Sequence, residues 1–268
     1  MSWCRRSWKT TLLGSLAVAG AMAGPATAYG GERPAGPDDR GLWASAVIEP
    51  GHKGVVEVGG YDGEPLGEGS VLTLTAPAGA RVTGVPFAGP GYRGAVAEGG
   101  SSGTYTFVGA AVSTWKGHTF PFVLSLPPDA EPGTRLPDCT LALRDAEGTV
   151  RRRGSCSVTV GLPAPTLSRP ASGVPLSASP EASGTAYPGA QVTVRDALEE
   201  EVCATTAAPS GLWSCVPGIA LPAGAGRLQA TATLNGASAM SEQIDIMVSG
   251  SAQEQQHDTV SDGGGGRL

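Results

Sequence analysis

Gly99-Gly100-Ser101-Ser102-Gly103 has the spacing of a G-x-S-x-G nucleophile elbow, and Ser101 would be its nucleophile. The elbow exposes its serine on a strained turn, which requires a strand before it and a helix after it. Here the run leads into Thr104–Val108, which reads as a strand, so a flexible Gly/Ser hairpin loop is expected instead. His52 and His118 have no spacing that ties either of them to Ser101 as a base. Asp196 with Glu199, Glu200 and Glu201 gathers carboxylates but lacks the loop spacing that supplies calcium with six to eight oxygens, so a solvated acidic turn is expected. No CxxC occurs, and after the first 28 residues the histidines are only His52, His118 and His257; no zinc site, other metal or cofactor is expected. Arg151-Arg152-Arg153 reads as charge protecting an edge strand in preference to a site for an anionic partner. Trp115, in the polar run Ser113–His118, is the candidate for stacking on a sugar, with Tyr92 and Tyr105 as companions. Trp213 lies between expected strands and is assigned to a core.

The elements that would position these residues are short strands. Gly 41 and Pro 22 make up close to a quarter of the 268 residues, aromatics are 5% and charged residues 16%. That composition disfavours long helices and leaves a core of Val, Leu, Ala and Thr. His118–Leu126 alternates most clearly, with Phe120, Phe122, Leu124 and Leu126 on one face. Val55–Val58, Val71–Thr75, Thr104–Val108, Thr140–Arg144 and Ser155–Val160 complete a first run. The run 161–170 holds three prolines and reads as a stiff linker. A second run follows: Gln191–Arg195, Glu201–Thr206, Leu212–Val216, Leu228–Leu234 and Ile244–Val248. The fold class is all-β, two antiparallel sandwiches in tandem, at 42–160 and 171–248. Residues 29–41 and the Gly-rich tail 249–268 are expected to be disordered.

Residues 1–28 carry Arg5, Arg6 and Lys9, then an apolar stretch of 14 residues from Thr11 to Gly24, then Ala26-Thr27-Ala28. This is the pattern of a signal peptide cleaved after Ala28; the stretch is short of the ~20 residues a span requires. Arg5-Arg6-Ser7-Trp8 loosely resembles a twin-arginine signal, and general export fits as well. Removing the three bases of this segment takes the net charge from −6 to −9. An acidic body argues against nucleic acid as a partner.

Export also bears on the cysteines. Cys4 leaves with the signal, and an even set of four remains, for which three pairings are possible. Cys139 and Cys156 lie symmetrically about Glu147-Gly148, and Cys203 and Cys215 about Pro209. Each pair could therefore bridge adjacent strands of a hairpin, and local pairing is expected.

The segment Ser183–Val248 resembles the bacterial Ig-like repeats of secreted and surface proteins. It shares SGTA-x-PGA-x-V-x-V-x-D, then Cys203, SG-x-WSC, LPAG, an A-T-A-T strand and a closing Ser-Glu-x-I strand. Leu198-Glu199-Glu200-Glu201 departs from the glycine-containing turn of those repeats. The resemblance, taken over about 165–248, implies a seven-strand-type sandwich with Trp213 in its core, a Cys203–Cys215 bridge and no catalytic residues. The first run is only loosely Ig-like. The resulting expectation is a non-enzymatic secreted or cell-wall-associated protein, an adhesion, interaction or spacer module. Its partner would be an extracellular protein or a cell-wall polysaccharide, with no membrane span once the signal is gone. The alternative is carbohydrate or small-molecule binding by the first domain, and a hydrolase ranks third.

Overall fold

A computed structural model describes residues 41–87, 89–109 and 115–250. The expected signal peptide and nearly all of the two terminal segments fall outside the described residues, as does His257.

Among the described residues ten strands come first: β1 (Leu42–Ile48), β2 (Lys53–Val58), β3 (Val71–Thr75), β4 (Arg81–Gly84), β5 (Tyr92–Val96), β6 (Ser102–Phe107), β7 (Phe120–Ser125), β8 (Arg135–Leu136), β9 (Thr140–Arg144) and β10 (Val150–Val160). Eight more follow: β11 (Pro175–Leu176), β12 (Ala182–Thr185), β13 (Gln191–Arg195), β14 (Glu201–Thr206), β15 (Leu212–Cys215), β16 (Gly224–Leu234), β17 (Ala237–Met240) and β18 (Ile244–Val248). The chain is all-β, and its helical content among these residues is one 3-10 turn at Glu98–Gly100.

The first ten strands form a seven-stranded sheet in the order β1-β10-β9-β3-β6-β5, with β8 beside β10, and a three-stranded sheet β2-β7-β4. Alternation explains how they face each other. Phe120, Phe122 and Leu124 of β7 point inward, as do Leu72 and Leu74 of β3, Tyr105 and Phe107 of β6, and Leu141 and Leu143 of β9. Together they make one continuous core. The second set makes a sheet β11-β18-β16-β13-β14, with β17 beside β16, and a two-stranded sheet β12-β15. These enclose a separate core of Val192, Val194, Leu228, Ala230, Ala232, Ile246 and Trp213. Both pairs of sheets resemble immunoglobulin-like sandwiches.

Pairing departs from the antiparallel expectation at the first and last strand of each set. β1 runs parallel to β10, from Leu42 opposite Gly154 to Ile48 opposite Val160, and β11 runs parallel to β18. The segment 161–170, expected to link the sandwiches, is hydrogen-bonded along the second one: Thr166 N–H donates to Thr185 O and Ser168 N–H to Ser183 O. Leu162 is already a member of the second core.

Candidate functional site

The Gly/Ser run is a turn. Ser101 precedes β6 directly, and no helix follows it. Gly99 and Gly100 both have φ +74°, and a Cβ on Gly100 would sit 2.7 Å from the Val82 carbonyl, so glycine is required here by the bend. His52 Nδ1 lies 2.9 Å from the Pro50 carbonyl, and His118 packs edge-on against Phe120. Neither is joined to Ser101. The described residues hold no nucleophile–base pair and no group of three or more His, Cys, Asp or Glu arranged for a metal.

Trp115, Tyr92 and Tyr105 are brought together, but on the inside. Trp115 is 2% exposed and donates Nε1–H to Ser70 Oγ at 2.8 Å. Its ring centroid lies 5.3 Å from Tyr92 and 4.9 Å from Phe120. Tyr105 is fully buried; its hydroxyl donates to Pro121 O and accepts from Phe87 N–H at 3.0 Å. Burial pushes the phenols of both Tyr92 and Tyr105 above their ordinary value of 10.0. The expectation of stacking residues in a polar loop is therefore corrected. A core poor in aromatics concentrates its rings in one edge-to-face cluster, and the indole N–H is satisfied internally by Ser70. The cavity beside Trp115 and His118 holds about 10 Å³, room for a single water, not a sugar.

Cys139 is bonded to Cys156 across the β9–β10 hairpin, with Cα atoms 5.2 Å apart. Cys203 is bonded to Cys215 at 6.0 Å, but not across a hairpin. β14 pairs with β13 and β15 with β12, so this bridge ties the two sheets of its sandwich together. Two cysteines equidistant from a turn fit a crossing between sheets as well as they fit a hairpin. Trp213, 4% exposed, packs in that core with its Nε1–H unpartnered.

The acidic turn is organised by its own first residue. Asp196 Oδ1 accepts from the N–H groups of Leu198 and Glu200, while Arg195 donates to Glu199 O. Of the arginine triplet, Arg151 meets Asp145 at 2.8 Å and Arg152 meets Asp62 at 2.9 Å, while Arg153 stays exposed. β10 is interior in its sheet order, with β1 on its other flank from Gly154 onward; protection of an edge accounts only for the stretch before that.

Neither a family model nor a curated protein sequence matches the chain. Among solved structures it is similar to the BSP domain of a biofilm-associated protein, at 19% identity over 77% of this chain and 30% of that one, with a TM-score of 0.27. It is similar to the D0–D1 domain of intimin at 8% identity over 77% of this chain and 97% of that one, TM-score 0.24. Murine CEACAM1b matches at 12% identity over 78% of this chain and 98% of that one, TM-score 0.25. The chain spans less than a third of the first of these structures. Likenesses this loose carry no functional argument, and the fold rests on the strand registers.

Trp43 is 51% exposed on β1, an aromatic that lies on a strand and not in a polar loop. Leu42–Ile48 alternates apolar-in and exposed-out, which would have marked Trp43 as outward had the strand been read there.

Proposed function

We propose that the chain is a non-enzymatic, extracellular interaction and spacer module, built as tandem Ig-like sandwiches and exported by its N-terminal signal. The supporting observation is the parallel pairing of first with last strand in each sandwich. In the first sandwich this parallel pairing lets the chain enter beside Gly154 and leave at the far end of β10. The seven paired residues of β1 place these points on the order of 20 Å apart. Modules threaded this way join end to end and hold a binding surface away from an anchoring point. The resemblance of Ser183–Val248 to bacterial Ig-like repeats of surface proteins supports the same reading.

Co-sedimentation of the purified, oxidised chain with insoluble cell-wall material tests it. Retention that survives Ser101→Ala is the expected result. Passage of all protein into the supernatant, or turnover of any ester that depends on Ser101, would overturn the reading.

A further inference from the structure

The outer face of the seven-stranded sheet has a composition unlike the rest of this acidic protein. Its seven strands contain six arginines, at 93, 135, 144, 151, 152 and 153, and no Asp or Glu. Flanking carboxylates, Glu49, Glu98, Asp138, Asp145 and Glu147 among them, lie beyond the strand ends. Arg152 points inward to Asp62 and Arg151 is held by Asp145. Arg93, Arg135 and Arg153 are exposed, and among the described residues none of the three makes a side-chain hydrogen bond or an ion pair.

Between these cations the face carries hydroxyls. Register places Ser155, Thr140, Thr75 and Ser102 side by side across four strands, and Thr73 beside Thr104 in the next row. Neighbours within a row are about 4.8 Å apart and successive rows about 7 Å. The first row ends at Trp43, opposite Ser155. Its indole lies against Gly59 and Gly60: a Cβ on Gly60 would fall 2.7 Å from Trp43 Cδ1, so only glycine seats the ring there. The result is an aromatic plate, held in place and open to solvent, at one end of a row of hydroxyls.

We infer that this face binds an acidic polysaccharide, with Arg93, Arg135 and Arg153 meeting its anionic groups, the Ser/Thr rows its hydroxyls, and Trp43 one sugar ring. The inference rests on the interaction-module reading and names its partner. Charge selects an anion, because three unpaired guanidiniums stand in a field without carboxylates on the strands. Chemistry selects a glycan over an acidic protein, because the centre of the face lacks the aromatic and apolar anchors that protein interfaces use, and offers hydroxyls instead. The face of β2-β7-β4, by contrast, mixes Lys53 with Glu57.

The test is fluorescence polarisation of labelled polygalacturonate titrated with the full chain. Saturable binding that added salt weakens is expected. The triple variant Arg93→Gln, Arg135→Gln, Arg153→Gln should weaken it by about tenfold or more, and Trp43→Ala by several-fold. Lys53→Gln, on the other sheet, should leave it unchanged, and neither dextran nor polyglutamate should compete. Absence of binding overturns the inference. So does binding indifferent to both the arginine and Trp43 changes, an equal loss with Lys53→Gln, or competition by polyglutamate. If the triple variant still co-sediments fully with wall material, this face is excluded while the module reading stands; if the parent chain does not co-sediment, that reading falls.

Discussion

At the scale of single residues, the first core depends on polar atoms placed inside an aromatic cluster. The Tyr105 hydroxyl joins three strands' worth of structure, since it accepts from Phe87 N–H and donates to Pro121 O while its ring lies against Phe120 and Phe122. Desolvation raises its pKa above 10.0, with the Phe87 bond working in the opposite direction, and desolvation also raises Tyr92 and Tyr61. In the unfolded chain these phenols ionise first, so above pH 10 the unfolded state binds fewer protons than the folded one. Stability is therefore full below about pH 10 and falls as pH rises through and beyond that value. Denaturant titrations between pH 8 and 12 should show this decline, with additional phenolate absorbance appearing on unfolding. Tyr105→Phe should lower stability at pH 8 by ~1–3 kcal/mol, because a buried N–H and C=O lose their partner, and should flatten the alkaline decline. An unchanged slope in the variant would assign the decline to other groups.

At the scale of elements, legibility followed burial. β7 was plain because four large apolar residues alternate without interruption, and all four are buried. β3, β9, β13 and β14 were read with the bounds they have. β1 escaped because it follows a polar, Pro-rich segment, and the first half of β10 because arginines mask its alternation. The β16–β17 hairpin escaped although Asn235-Gly236, at φ +49° and +80°, is the two-residue turn such hairpins favour. The site was less legible than the fold, because a tryptophan's neighbouring residues say little about which way its ring turns: Trp115, among polar residues, is buried, and Trp43, among apolar ones, is exposed. The disulfides fall between these cases, their hairpin geometry holding only in the first sandwich. Their sequence separations of 17 and 12 imply similar contributions, about 3 kcal/mol each in the chain-entropy picture. Replacing Cys139 and Cys156 together by Ala should lower the first sandwich's unfolding free energy by about that amount, and the second pair should do the same for its own sandwich. Tryptophan fluorescence separates them, with Trp213 alone in the second core and Trp115 in the first. A loss seen equally in both sandwiches from one pair would contradict two independent staples.

At the scale of the whole molecule, the two cores share no buried residue. They meet at the tip of the β16–β17 hairpin. There Asn235 Nδ2 donates to Glu131 Oε1 at 2.9 Å and to Pro132 O at 3.2 Å, and a Cβ on Gly133 would collide with the Asn235 carbonyl. Two cores that share no buried residue are expected to unfold separately, and calorimetry should resolve two transitions. The contacts vanish as soon as either sandwich unfolds. They therefore stabilise only the one that melts first; the other unfolds with its neighbour already gone. Asn235→Gly removes the side chain yet keeps a residue suited to φ +49°, which leaves the hairpin itself unstrained. Each hydrogen bond contributes on the order of 1 kcal/mol, so the variant should lower the first transition by a few degrees. The second should stay in place. A shift in the second transition would mean that the substitution had altered a sandwich's own stability and not the junction alone, and no shift in either would mean that the Asn235 contacts carry no coupling.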